Sequence, residues 1–383
     1  MHKKRRSALN NYMVDILKKS NIICWGLGRH FYSSTYNFLV RNGLVANIFL
    51  LVDKKEIGID KEKAPLLVDC PVSKPDKINQ YLKPDTIILI SVADYSSVVD
   101  EIDKSQVLSK IKWIPDRYLA MLQLDEDILN TNKAPNAPNP YHKNNEIKIS
   151  KVINTFWFSN DPIPDKYLNC VDSWKKYCSD YEIRIWSLND YNPQGNRYFE
   201  EAISVRKWAF ASDYSRIDII SRNGGIYMDL DVEIVKPIDD LLYNDAYLGF
   251  EDFERIDCGS GFGACAGNRI FEEIRAEYDN RSFIKEDGSY DLATCPQIYT
   301  RVLEKHGLKK NGAFQEVEGI TVYPFEYLSA KSFQTGIIYR TENTYSIHHH
   351  EGSWLSDEAK KSNNSRYNSV EEFIKMINNS MGN

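Results

Sequence analysis

A chain of 383 residues is long for one domain, so two domains are the natural expectation. Hydrophobic residues make up 42% and charged residues 27%, an ordinary soluble balance, and a net charge of -6 gives no electrostatic basis for nucleic-acid binding. Seven cysteines, an odd number without any C-x-x-C spacing, read as free thiols in a reducing compartment, and no apolar run approaches the roughly 20 residues of a membrane helix.

The chain opens on Met1-His2-Lys3-Lys4-Arg5-Arg6, basic but without a following apolar stretch, so it is not read as a signal peptide. Two readings stand for it: a solvated terminus, or a peripheral contact with an anionic membrane surface. Residues 8–19 have helical spacing of Leu9, Met13, Ile16 and Leu17. Asn21 to Trp25 reads as a buried strand, Gly26-Leu27-Gly28 as a turn, and a helix should follow to about Asn42. A second strand, Asn47 to Val52, ends at Asp53. This is the order of a dinucleotide-binding unit, but Phe31 stands where the third glycine would be, which favours a Rossmann-like domain whose glycines serve the turn alone. Strands at 86–91 and 111–114 and helices at 74–82, 96–104 and 116–129 complete a parallel α/β domain over 1–130. Residues 131–147, with Ala-Pro-Asn-Ala-Pro-Asn-Pro and no apolar period, read as a linker.

The second domain, 148–383, starts with a strand over 151–157, a helix over 165–177 and a strand over 181–186. A helix is expected over 204–223, with Ser204 as N-cap and Gly224 as its stop. Asp213 and Arg216 lie three apart on it and share a face; a surface ion pair is the plain alternative. From Ile226 to Glu233 apolar and polar residues alternate strictly. On one strand, Ile226, Met228, Leu230 and Val232 face one way, and Tyr227, Asp229, Asp231 and Glu233 the other. Two carboxylates one strand period apart repel unless a cation sits between them, and such oxygen ligands suit Mn2+ or Mg2+. The alternative is a solvated acidic face.

The run from Ala211-Ser212-Asp213-Tyr214-Ser215-Arg216 through Gly224-Gly225-Ile226-Tyr227-Met228-Asp229-Leu230-Asp231 resembles the sugar-binding region of DxD glycosyltransferases. That family includes yeast-type initiating mannosyltransferases, bacterial capsule and lipopolysaccharide enzymes and, more distantly, clostridial glucosylating toxins. The resemblance covers about 151–240 well and the rest sparsely. It implies a GT-A-like α/β catalytic domain and a metal-dependent, retaining transfer from a nucleotide sugar, UDP-sugar favoured, to a glycan or lipid-linked acceptor. It implies a place in capsular or surface polysaccharide synthesis, and the free cysteines and lack of a membrane helix add the expectation of a cytoplasmic enzyme. By position in the family pattern, Asp231 and Asp229 would hold Mn2+ or Mg2+, Asp213 and Arg216 would orient the donor sugar, and Trp157 and Tyr227 would border the nucleotide. Tyr345-Ser346-Ile347-His348-His349-His350-Glu351-Gly352-Ser353-Trp354 resembles the family's C-terminal His-rich stretch. There His348, or else His350, completes the metal shell, and Ser353 and Trp354 close the site as part of a lid. Cys258 to Gly267 is read either as a border of the acceptor side or as a place of close backbone approach. A nucleotide-sugar hydrolase and a non-catalytic partner subunit are the rival readings; no enzymatic nucleophile is assigned.

Overall fold

The computed structural model describes residues 14–55, 58–92, 95–117, 119, 144–159, 161–252, 254–352 and six positions between 361 and 371. The basic N-terminus, most of the 116–129 helix and of the linker, Ser353, Trp354 and most of the tail lie outside these. The chain divides into two compact units, Met1–Glu126 with Asn368–Asn383, and Asp127–Tyr367.

In the first unit, β1 (Asn21–Trp25), β2 (Ile48–Val52), β3 (Val72–Ser73), β4 (Thr86–Ile90) and β5 (Lys112–Pro115) form a fully parallel sheet in the order β3-β2-β1-β4-β5. Every residue of β4 is buried, the continuous apolar pattern of a strand covered on both faces. A π-helical turn, Phe31–Thr35, leads into α1 (Tyr36–Arg41), and α2 is Ser96–Lys104. The helix expected over 74–82 is a 3-10 segment, Pro75–Gln80. Gly26 turns the chain with φ +111°; a Cβ there would lie 2.4 Å from Val92, so only glycine fits.

The second unit is built on a mixed sheet. Its strands are β6 (Val152–Phe156), β7 (Glu182–Trp186), β8 (Gly225–Tyr227), β10 (Ala246–Phe250), β12 (Phe262–Ala264), β13 (Gln315–Val317) and β14 (Ile320–Tyr323), ordered β13-β14-β10-β12-β8-β6-β7. Short β11 (Ile256–Asp257) pairs with β10, and β9 (Val232–Ile234) pairs antiparallel with β15 (Ser346–His348) as a separate ribbon. The helices are α3 (Asp165–Tyr177), α4 (Arg197–Ser204), α5 (Trp208–Asn223), α6 (Arg269–Asp279), α7 (Cys295–Lys305) and α8 (Phe325–Leu328).

Two further expectations are corrected. The helix expected over 204–223 begins only at Trp208: Ser204 is not its N-cap but ends α4, where its hydroxyl donates to the Glu201 carbonyl, and Arg206 takes φ +57° before α5 begins. Gly224 does stop α5, with φ +69° and its amide bonded to Ile220 O. The strand of 226–233 is likewise interrupted: a turn with Val232 N–H bonded to Asp229 O separates β8 from β9. Sidedness survives the break. Ile226, Met228, Leu230 and Val232 are buried in one core layer, and Tyr227 enters the other.

Candidate functional site

The turn between β8 and β9 sets Asp229 and Asp231 at the wall of a cleft of about 560 Å³, also lined by Trp157, Asp213, Arg216 and His348. Such a volume suits a nucleotide-sized ligand. Three elements bring these residues together: α5 carries Asp213 and Arg216, the β8–β9 turn carries the aspartates, and β15 carries His348 opposite Val232.

Asp213 and Arg216 are 8% and 5% exposed, which excludes a solvated helix-surface pair. Arg216 Nη2 lies 3.2 Å from Asp213 Oδ1 and 3.3 Å from Asp229 Oδ1, so one guanidinium ties the helix to the DxD turn. Its Nη1 donates to Cys258 O at 2.8 Å, and its plane sits 4.7 Å from the Tyr227 ring centroid. Burial disfavours its charge, but Asp229 first and then its other neighbours hold its pKa well above the ordinary value. Burial pushes the Asp213 carboxyl up to about 6, with Arg216 opposing. The Tyr227 hydroxyl donates to Asp229 Oδ1 and lies 3.1 Å from Ser212 Oγ. Tyr227 is 1% exposed, a buried brace for Asp229.

Asp229 Oδ2 and Asp231 Oδ1 stand 3.8 and 3.4 Å from His348 Nε2. Asp231 Oδ2 accepts the Glu351 backbone N–H at 2.8 Å, and Asp231 O accepts that of His349 at 3.0 Å. Burial raises the Asp231 pKa, but His348 outweighs it and holds the carboxyl well below the usual range. For His348, burial works against the charged ring, and Asp257 and Asp231 override it, so its pKa is raised. His350 does not continue the strand: at φ +55° it folds back until its ring lies 4.2 Å from that of His348, with Nε2–H donating to Lys331 O at 3.0 Å. Burial, then His348, lower its pKa to about 3. His349 turns away to Glu233, 3.2 Å off. Among the described residues, donor atoms of Asp229, Asp231 and His348 lie within 4.8 Å of one another, as do those of Asp257, His348 and His350. Carboxylate oxygens with an imidazole nitrogen fit a hard divalent cation such as Mn2+.

Trp157 lies at the cleft with its indole N–H donated to Asp161 O at 2.7 Å and its ring edge-on to Tyr167. The glycine-rich segment is a place of close approach: Gly259 O accepts the Asp229 N–H at 2.9 Å, and a Cβ on Gly259 would lie 2.2 Å from Asp229 Oδ2. Sequence reasoning missed two acids. Asp257, 4% exposed, accepts from Gly259 N (2.7 Å), Ser260 N (2.9 Å) and Ser329 Oγ (2.7 Å) and faces His348 Nδ1 at 3.1 Å. Glu251 lines the cleft beyond β10, 3.7 Å from Arg255 Nε, its pKa pushed up to about 7 by burial and then by Asp257. The one local signal was Asp257 directly before the glycine-rich run.

Residues 164–248 match the family model described as a glycosyltransferase sugar-binding region containing a DXD motif. Inositol phosphoceramide mannosyltransferase 3 of Schizosaccharomyces pombe is 28% identical over 115 residues, which is 28% of this chain and 31% of that protein, so the match spans under a third of the relative. Two solved structures are similar at low level. The PaToxG glycosyltransferase is 16% identical, with a TM-score of 0.33 over 50% of this chain and 78% of that one. A glycosyltransferase involved in glycosylation of the major capsid of PBCV-1 is 12% identical, with a TM-score of 0.31 over 57% of this chain and 98% of that one. No helix of the described residues is long and apolar enough to cross a membrane. Residues 164–248 are thus similar to a glycosyltransferase sugar-binding region, and Asp229-Leu230-Asp231 is an Asp-x-Asp sequence within them.

Proposed function

We propose that this protein is a metal-dependent, retaining glycosyltransferase that moves a sugar from a nucleotide-sugar donor, UDP-sugar favoured, to a glycan or lipid-linked acceptor. The observation that carries the reading is the meeting, in one cleft, of the DXD aspartates with Asp213, Arg216 and His348. Asp229, Asp231 and His348 are the residues that would hold Mn2+ or Mg2+. A divalent cation there supplies Lewis-acid stabilisation of the diphosphate charge that develops as the anomeric bond breaks.

The chain's own groups do the rest. Arg216 keeps Asp213 and Asp229 at fixed spacing, and Asp213 is placed to orient donor hydroxyls. Tyr227 fixes Asp229, and Trp157 offers a face for the base. Preorganised charge of this kind needs little rearrangement during reaction. Ser353 and Trp354 are proposed to exclude water, because hydrolysis competes with transfer. The wider setting, a cytoplasmic enzyme of surface-polysaccharide synthesis, belongs to the same proposal.

The test is a screen of nucleotide sugars by thermal shift with and without Mn2+, followed by product analysis with a glycan acceptor. Stabilisation by UDP that requires the metal, and a product that keeps the donor's anomeric configuration, is the expected result. Release of free sugar at one rate with or without acceptor would replace the reading by a hydrolase.

A further inference from the structure

Two groups of side chains with the spacing to hold a cation overlap at His348. One is Asp229, Asp231 and His348; the other is Asp257, His348 and His350. One imidazole has two nitrogens, and which faces which acid decides where an ion can sit.

We propose that Asp257 is a positioning residue: it fixes the ring of His348 with the proton on Nδ1 and Nε2 turned to Asp229 and Asp231, and so assigns the cation to that first group. The inference rests on the metal-dependent reading above and names the device that orients its histidine.

The argument is one of lone pairs. A carboxylate offers about four acceptor positions. Asp257 Oδ1 accepts two backbone N–H groups, from Gly259 and Ser260, and Oδ2 accepts the Ser329 hydroxyl and faces His348 Nδ1 at 3.1 Å. All four positions are occupied, so Asp257 has none left for a cation. A saturated carboxylate can only accept from His348, which keeps a proton on Nδ1; the Nε2 proton that the two aspartates favour is then the one a cation would replace. Nε2 then points where acceptor capacity remains: Asp231 Oδ1 at 3.4 Å and Asp229 Oδ2 at 3.8 Å.

The clamp is rigid because three segments are fastened to it. Asp257 ends β11, and Ser329 follows α8 directly. Ser346 of β15 sends its hydroxyl to Leu328 O at 2.8 Å and lies 3.1 Å from Ser260 O. A carboxylate behind a ligating imidazole is the recurrent means of fixing tautomer and ring orientation at metal sites.

The experiment titrates Mn2+ in the presence of UDP, read by the loss of the free-ion electron paramagnetic resonance signal, for the full chain and three variants. Asp257→Asn should lower Mn2+ affinity by about 10–100-fold, the usual effect of removing such a partner. His348→Ala should lower it as well, and adding Asp257→Asn to His348→Ala should lower it no further, because a positioning residue acts only through the ring it positions. An equal extra loss in the His348→Ala background would make Asp257 a ligand and overturn the proposal. Unchanged affinity in Asp257→Asn would also overturn it. Should Asp257→Asn fail to fold, nitrogen-15 spectra of the wild-type imidazoles with bound Mg2+ decide the matter: Nδ1–H on His348 supports the proposal and Nε2–H ends it. Wild-type protein that takes up no Mn2+ with UDP would remove the metal reading itself, and this inference with it. Wild-type uptake without coupling removes this inference alone.

Discussion

Each unit sets an acid just beyond a β-strand, and the two acids are used in opposite ways. Asp53 follows β2 in the parallel sheet, and its carboxylate is bonded to its own backbone surroundings, Leu27 N and Lys55 N, both at 2.9 Å. Asp229 and Asp231 follow β8 in the mixed sheet. Each has one oxygen held by protein donors, Tyr227 and Arg216 for one and Glu351 N for the other, while the second oxygen looks toward His348. An acid at a strand end is thus ambiguous in sequence. What separates a brace from a ligand is where its lone pairs go.

The comparison breaks most sharply at Asp231. Asp231→Asn should cut transfer by at least about 100-fold, since a metal Lewis acid is worth several kcal/mol and each 1.4 kcal/mol is tenfold. Its melting temperature without ligand should fall modestly, because the charged pairing with His348 is lost, while the protein stays folded; turnover at the wild-type rate would show that the cleft works without this carboxylate. Next, UDP with Mn2+ at about 100 times the dissociation constant should stabilise the protein by roughly 2.7 kcal/mol, and either alone by less. Equal thermal shifts with and without metal would dissolve the contrast between the two acids.

Gly259→Ala asks whether backbone proximity keeps Asp229 in place. The new methyl would meet Asp229 Oδ2 at 2.2 Å and His348 Cε1 at 2.7 Å, so about 1–3 kcal/mol of strain is expected, with weaker Mn2+ binding measured by the same titration. Asp53→Ala should cost about 1 kcal/mol of stability by chemical denaturation and leave Mn2+ and UDP binding unchanged. Altered metal affinity in that variant would mean that the two acids are not independent.

The smallest effect concerns pH. His30 Nε2 sits 3.1 Å from both oxygens of Asp116, and that hydrogen bond raises its pKa against the opposing effect of burial. A histidine whose folded pKa is raised gives stability that is complete below its unfolded pKa and is lost as pH rises through the folded value. The first unit should therefore unfold slightly more easily at pH 8 than at pH 6, and His30→Gln should flatten that difference. A slope of the opposite sign would remove the charged pair from the account.

The legible parts of this molecule are those governed by neighbours in sequence. Asp213 and Arg216 share a helix face because they are three apart, and α2 and α3 lie where their apolar spacing puts them. The pairing of Asp229 with Asp231 follows from alternation, which holds across the β8–β9 turn because each side chain keeps its side of the chain. The turn itself left no such mark, nor did the break at Arg206, where a non-glycine residue adopts positive φ. Asp257 and Glu251 were illegible for another reason. Their roles depend on a residue 91 positions away or on cleft geometry, which the glycine-rich run after Asp257 only hints at. His348 was reached only through resemblance.

The β9–β15 ribbon has a consequence in time. Glu351 N–H reaches Asp231 across 120 residues of chain, so the last donor of the site closes a very long loop. Loop-closure entropy grows only slowly with length, yet such contacts form late, because they are rewarded only after the intervening chain has condensed. During synthesis the DXD turn must wait for β15. A chain released before residue 346 lacks His348 and the Glu351 N–H, so in it the Asp229–Asp231 turn is without two of its partners.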